Sequence, residues 1–249
     1  MRALRLLPLV LFLMIMSTTE AAEVRVAVAA NFAATLHTLA EDFSSRTGHR
    51  VMVSSGSTGK HYAQICNGAT FDVFLAADSA RPERLEAEGI GIANSRFTYA
   101  IGRLALWVPG EHELGPPERY LRNADVRHLA IANPRLAPYG LAAEQALRAW
   151  GLWERLQPKL VRGENIAQAF QFVATGNASA GLVALPSLLA GGRPVAGSYR
   201  VIPPELHQPI DQQALLLRRG EAADAFLDYL RGEVAAGLIR SAGYEVPAA

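Results

Sequence analysis

The stretch Val53-Ser54-Ser55-Gly56-Ser57-Thr58-Gly59-Lys60-His61-Tyr62-Ala63-Gln64-Ile65 runs from a strand, through a loop of small hydroxyl residues, into a helix. Several backbone N–H groups and hydroxyls therefore converge at one helix N-terminus, which makes a cradle for an anion. A nucleotide phosphate loop of the form G-x-x-x-x-G-K-[ST] would need Gly at Ser54 and Ser or Thr at His61, so that reading fails twice. A secreted serine acyl-transferase or hydrolase could use Ser57 and Lys60 as its S-x-x-K pair, but the companion triplets S-D-N and K-T-G are absent. The plain alternative is a Ser/Thr loop that only caps its helix.

Upstream, Val24 to Ala30 alternates as a strand, and Phe32, Leu36, Leu39 and Phe43 then recur at helical spacing until Gly48. Asn31 sits where the period changes and is the expected N-cap. His49 to Ser54 is the next strand, and the helix after it closes at Asn67-Gly68. Asp72 to Ala77 is a third strand, with Asp78 capping a helix that runs to Gly89. This β-α-β-α-β-α order predicts a parallel sheet with helices on its faces.

Phe97 to Val108 is too long for an ordinary strand and is interrupted by Gly102, so it is read as a crossing from a first lobe into a second. There the pattern restarts: strand His128–Ala132, helix Gly140–Trp150, short strand Lys159–Arg162, helix Ile166–Ala174 and strand Ala180–Leu185. Ser198–Ile202 and Gln212–Leu217 form the return crossing, and Ala222–Leu238 is one last amphipathic helix of the first lobe. The expected organisation is residues 1–21 as signal peptide, 22–98 and 203–249 as lobe I, and 99–202 as lobe II.

The leader reading rests on Arg2 and Arg5, the uncharged run Leu6 to Met16, and small residues at Thr19 and Ala21. Cleavage is placed after Ala21, with Ala22 as the near alternative, which exports the mature chain. Its removal takes two Arg and one Glu and brings the formal net charge from +1 to zero. No basic field remains to attract nucleic acid. Cys66 is the only cysteine, which excludes an intramolecular disulfide, and its expected role is packing on its helix.

A two-lobe α/β protein binds between its lobes, at loops leaving the carboxyl ends of strands. Ala29-Ala30-Asn31, Gly56-Ser57-Thr58, Ala137-Pro138-Tyr139-Gly140 and Glu164-Asn165-Ile166 fit that description. Each precedes a predicted helix and offers free N–H groups at the positive end of a helix dipole, worth roughly half a charge. Lys60 and Glu164 are the charged exceptions, and both are expected to face solvent. His61, His128 and His207 have no metal-ligand spacing, and Trp107, Trp150 and Trp153 are expected to pack in cores or at element ends.

At these loops the sequence resembles the ModA family, the periplasmic molybdate-binding proteins of ABC transporters. The likeness is carried by Val28 to Phe32, Ser54 to Gly59, Phe71 to Asp78, Arg96 to Gly102 and Ala137 to Ala142. It implies a two-lobe type II periplasmic-binding-protein fold with a ligand cleft between the lobes, no catalysis and no cofactor. The implied ligand is molybdate, with tungstate beside it, rather than a bare metal cation. The implied partner is an ABC transporter permease in the inner membrane, served by a periplasmic monomer. By position, the family's oxyanion contacts fall on Ala30, Asn31, Thr58, Tyr139 and Ile166, with Ser57 adjacent. The contacts of Ala30 and Ile166 would be through the backbone. This sequence departs from some relatives at Ala30, which lacks a hydroxyl, and at Ala184, where others carry a tyrosine. Another oxyanion or small ligand is the alternative within binding proteins.

Overall fold

The computed structural model describes residues 21–110, 113–123, 126–189 and 195–247. Except for Ala21, the expected signal peptide lies outside them. Among the described residues, ten strands form two five-stranded sheets, one in each lobe.

The first sheet has the order β2-β1-β3-β10-β4, from β1 (Glu23–Ala29), β2 (Arg50–Gly56), β3 (Val73–Leu75), β4 (Phe97–Gly102) and β10 (Ile210–Leu216). Strands β2, β1 and β3 are parallel, as the β-α-β-α-β pattern requires. The return strand β10 enters antiparallel between β3 and β4, so the sheet as a whole is mixed. Side chains alternate along β1: Val24, Val26 and Val28 join one core with α1 (Ala33–Thr47), α9 (Glu221–Arg231) and α10 (Glu233–Ser241). Ala27 on the opposite face packs with Ile65 of α2 (Thr58–Cys66) and Leu85 of α3 (Ala80–Ala87).

The second sheet repeats the plan in the order β7-β6-β8-β5-β9. Its strands are β5 (Leu104–Val108), β6 (Leu129–Ala132), β7 (Leu160–Gly163), β8 (Ala180–Ala184) and β9 (Ser198–Val201). Its helices are α4 (Pro117–Asn123), α5 (Pro138–Ala149), α6 (Trp153–Leu156), α7 (Ile166–Ala174) and α8 (Leu185–Leu189). Trp107 stacks on Phe170 with ring centroids 4.8 Å apart, within that lobe's core.

The long apolar run does cross between sheets: β4 ends at Gly102 in the first and β5 begins at Leu104 in the second. Three expectations fail. The last helix is two, α9 and α10, parted at Gly232, whose φ of −79° and ψ of 156° are extended rather than helical. Cys66, at the end of α2, is exposed rather than packed. Asn31 does not cap α1, because Ala30–Phe32 is a turn of 3-10 helix and the capping position falls to Phe32, which makes no side-chain cap bond.

Candidate ligand site

Each helix that opens onto the cleft has a first turn whose N–H groups lack acceptors in their own helix. Local sequence decides which of them stay free. In α2, Ser57 is the N-cap and its Oγ accepts the Lys60 N–H at 3.4 Å. The Gly59 N–H donates to Leu136 O of the other lobe at 2.8 Å, which leaves the Thr58 N–H. In α5, Pro138 has no N–H and Gly140 N donates to Ala137 O at 2.9 Å, which leaves the Tyr139 N–H. In α7, Asn165 Oδ1 accepts the Gln168 N–H at 3.0 Å, while Gln168 Oε1 accepts the Glu164 N–H at 2.6 Å. This reciprocal cap leaves the N–H groups of Ile166 and Ala167.

The structure brings Ala30, Asn31, Ser57, Thr58, Tyr139 and Ile166 onto one small cavity. Ala29, Ala77, Ala137 and Asn165 complete most of its wall, and the cavity volume is about 10 Å³. That is about the smallest space that admits one water molecule. Ala29 and Ala77 of the first lobe also pack against the core of the second.

No side chain in the cavity wall carries a charge. The positive ends of α2, α5 and α7 and of the Ala30 turn supply the field instead. Thr58 adds a hydroxyl: its Oγ1 accepts the Ala77 N–H at 3.1 Å, so its own hydrogen is free to donate elsewhere. Asp78, next in chain to Ala77, is held by Arg81. Burial pushes its carboxyl up from the ordinary value, and the Arg81 guanidinium opposes that rise.

Two neighbours differ from expectation. Lys60 and Glu164 are half-exposed as expected, but they face each other: Nζ and Oε1 lie 3.1 Å apart, one residue from each lobe. Asn31 lines the cavity, yet its amide nitrogen is turned away, donating to Gln212 Oε1 at 2.8 Å and to Tyr244 Oη at 3.1 Å. Sequence reasoning does not single out those two partners. Gln212 falls on the same alternating face of Ile210–Leu216 as Ile210 and Ala214, and that is the signal that points to one of them, since a buried amide requires a polar partner. Ala184 is buried in β8 and is not in the cavity wall.

Tyr139 is 1% exposed, and its hydroxyl has no hydrogen-bond partner among the described residues. It lies against Gly102, where a Cβ would sit 2.2 Å from the phenol oxygen, and Gly102 is not in the cavity wall. Tyr139 therefore presents its N–H to the cavity side and its ring tip to the strand crossing. Burial, with Tyr244 and Tyr99 nearby, holds its phenol well above the ordinary tyrosine value.

Comparison with known proteins agrees in fold and family. Residues 24–245 match the profile of the family described as bacterial extracellular solute-binding protein. The chain is 49% identical over 228 residues to molybdate-binding protein ModA of Azotobacter vinelandii, covering 90% of each chain. It is 42% identical over 227 residues to the protein of the same name from Rhodobacter capsulatus, covering 90% of this chain and 88% of that one. Among solved structures, the Azotobacter vinelandii periplasmic molybdate-binding protein superimposes with a TM-score of 0.86 at 40% identity. That match covers 90% of this chain and all of that one. The chain belongs to the ModA family of bacterial extracellular solute-binding proteins.

Proposed function

We propose that this protein captures molybdate, and tungstate with it, in the interlobe cavity and delivers it to an ABC transporter permease in the inner membrane. The observation that carries the reading is the convergence of free first-turn N–H groups from both lobes on one small, uncharged cavity. Asn31 and Thr58 stand on one lobe and Tyr139 and Ile166 on the other, with Ala30 and Ser57 beside them. A compact dianion bridging these donors favours the closed state by its contacts there. Neutral donors in a fixed cage select by size and by charge, and molybdate and tungstate are nearly alike in both. We move the outward lobe boundary from the expected 98/99 to Gly102–Leu104, because β4 up to Gly102 pairs within the first sheet, and take the return at 202–209, beside the expected 202/203. Residues 1–21 serve as the signal peptide of a periplasmic monomer.

Titration of residues 22–249 by calorimetry against molybdate, tungstate, sulfate and phosphate tests the reading. Molybdate and tungstate should bind, with sulfate and phosphate far weaker, and solution X-ray scattering should show a smaller radius of gyration with molybdate. Equal binding of all four anions would make the site a general anion sink and overturn the assignment. An unchanged scattering profile at saturation would overturn hinged closure.

A further inference from the structure

From Asn31 in the cavity wall a buried layer of uncharged polar side chains extends behind the cavity. Asn31 is 7% exposed and Gln212 is fully buried. Both hydrogens of the Asn31 amide are engaged, one by Gln212 Oε1 at 2.8 Å and one by Tyr244 Oη at 3.1 Å. Tyr244 Oη donates in return to the Asn31 main-chain oxygen at 2.7 Å. Tyr99 Oη lies 3.3 Å from Gln212 Oε1 and 3.2 Å from Ala76 O, beside the cavity residue Ala77. Burial raises the Tyr244 phenol above the ordinary tyrosine value, so the hydroxyl stays protonated at neutral pH.

Tyr244 is fixed in turn by its neighbour. The Ile101 N–H donates to Glu245 O at 2.7 Å, and the Glu245 N–H donates to Ile101 O at 3.2 Å. The Glu245 carboxylate meets Arg103 at 2.7 Å, and Arg103 is the residue between β4 and β5 at the strand crossing. One short segment thus touches both the back of the ligand loop and the crossing between lobes.

We propose that Gln212 and Tyr244 are positioning residues for the oxyanion, an inference that rests on the function proposed above. They anchor the Asn31 side chain and carbonyl, so the donor Asn31 has left to offer is its main-chain N–H, held in a preset direction. Preorganised donors bind more tightly because no ordering remains to be done on ligand arrival. Tyr244–Glu245 ties that preset loop to the crossing strand.

Tyr244→Phe removes both hydroxyl bonds and keeps the ring edge-on to Phe32, 5.2 Å between centroids. Gln212→Met removes the acceptor at similar volume. Each variant should weaken molybdate binding about tenfold by calorimetry, the scale of one or two lost hydrogen bonds. In each, hydrogen exchange of the Asn31 side-chain amide, followed by nitrogen-15 NMR without ligand, should quicken, with melting within a few degrees of wild type. Faster amide exchange with wild-type affinity in either folded variant would overturn the positioning role. Unchanged amide exchange in both would overturn the anchoring itself. A wild-type protein that bound none of the four oxyanions would instead overturn the function, and this inference with it.

Discussion

Replacing Tyr139 by Phe deletes one oxygen from a ring that is almost entirely buried and whose hydroxyl has no partner among the described residues. An unsatisfied buried hydroxyl costs about 1–3 kcal/mol of desolvation, and a phenyl ring in the same place carries no such penalty. Some ring-tip contact at Gly102 is lost with the oxygen, so the expected net gain is about 1 kcal/mol. For a chain of this size that raises the melting temperature by roughly 2–4 °C. The Tyr139 N–H is untouched, so molybdate affinity should stay within about twofold. Thermal denaturation followed by circular dichroism, and calorimetric titration of the same sample, measure both. Gly102→Ala supplies the converse, since its new Cβ would lie 2.2 Å from the phenol oxygen and 2.9 Å from Cζ. Overpacking of that kind costs about 1–3 kcal/mol, and adding Tyr139→Phe should recover part of it non-additively. A fall of tenfold or more in the affinity of Tyr139→Phe would show that the hydroxyl carries the ligand contact. A lower melting temperature would show that the hydroxyl has a partner.

Asn31→Asp should fold, because the unpartnered Gln212 Nε2 can turn to donate to the new carboxylate. Its charge would stand in the buried layer just behind the cavity wall, and like charges about 4 Å apart repel by about 4 kcal/mol at an effective dielectric of 20. Even half of that exceeds tenfold in affinity, so molybdate binding measured by calorimetry at neutral pH should weaken by more than tenfold; wild-type affinity would show that charge at the Asn31 side chain does not reach the ligand, whose contact is the main-chain N–H. Lys60→Met should speed molybdate release in stopped flow by at most about fivefold at low salt and not at all in 1 M salt, as for an exposed ion pair. Equal release rates at low salt would deny the Lys60–Glu164 pair any part in closure. Burial holds the His61 imidazole below its ordinary value, with Gln64 opposing. The unfolded chain thus takes up its proton near pH 6.5 before the folded one does, so stability is full above that pH and falls as pH drops toward the folded value. Urea midpoints at pH 7.5 and 5.5 should therefore fall further in wild type than in His61→Gln, and equal falls would exclude His61 as the source.

The sequence by itself determined whatever depends on neighbours along the chain. The strand of Val24, Val26 and Val28, the helix ending at Gly48, the caps Ser57 and Asn165, and Pro138 at the head of α5 are all local signals. They also fix much of which first-turn N–H groups remain free, since capping and the missing proline N–H act within a few residues, although the Gly59 N–H is taken by Leu136 O of the other lobe. The loops bearing Ala30, Thr58, Tyr139 and Ile166 are therefore legible in the order of residues alone. Tertiary structure alone decided the orientation of Asn31. Its amide looks equally fit to cap a helix or face a ligand until Gln212 and Tyr244 arrive from 181 and 213 positions away. The same holds for Lys60, whose partner Glu164 belongs to the other lobe, and for the antiparallel entry of β10 between β3 and β4. Hydrogen-bonding capacity is written in each residue, but which buried donor meets which acceptor follows from the packing of segments far apart in the chain.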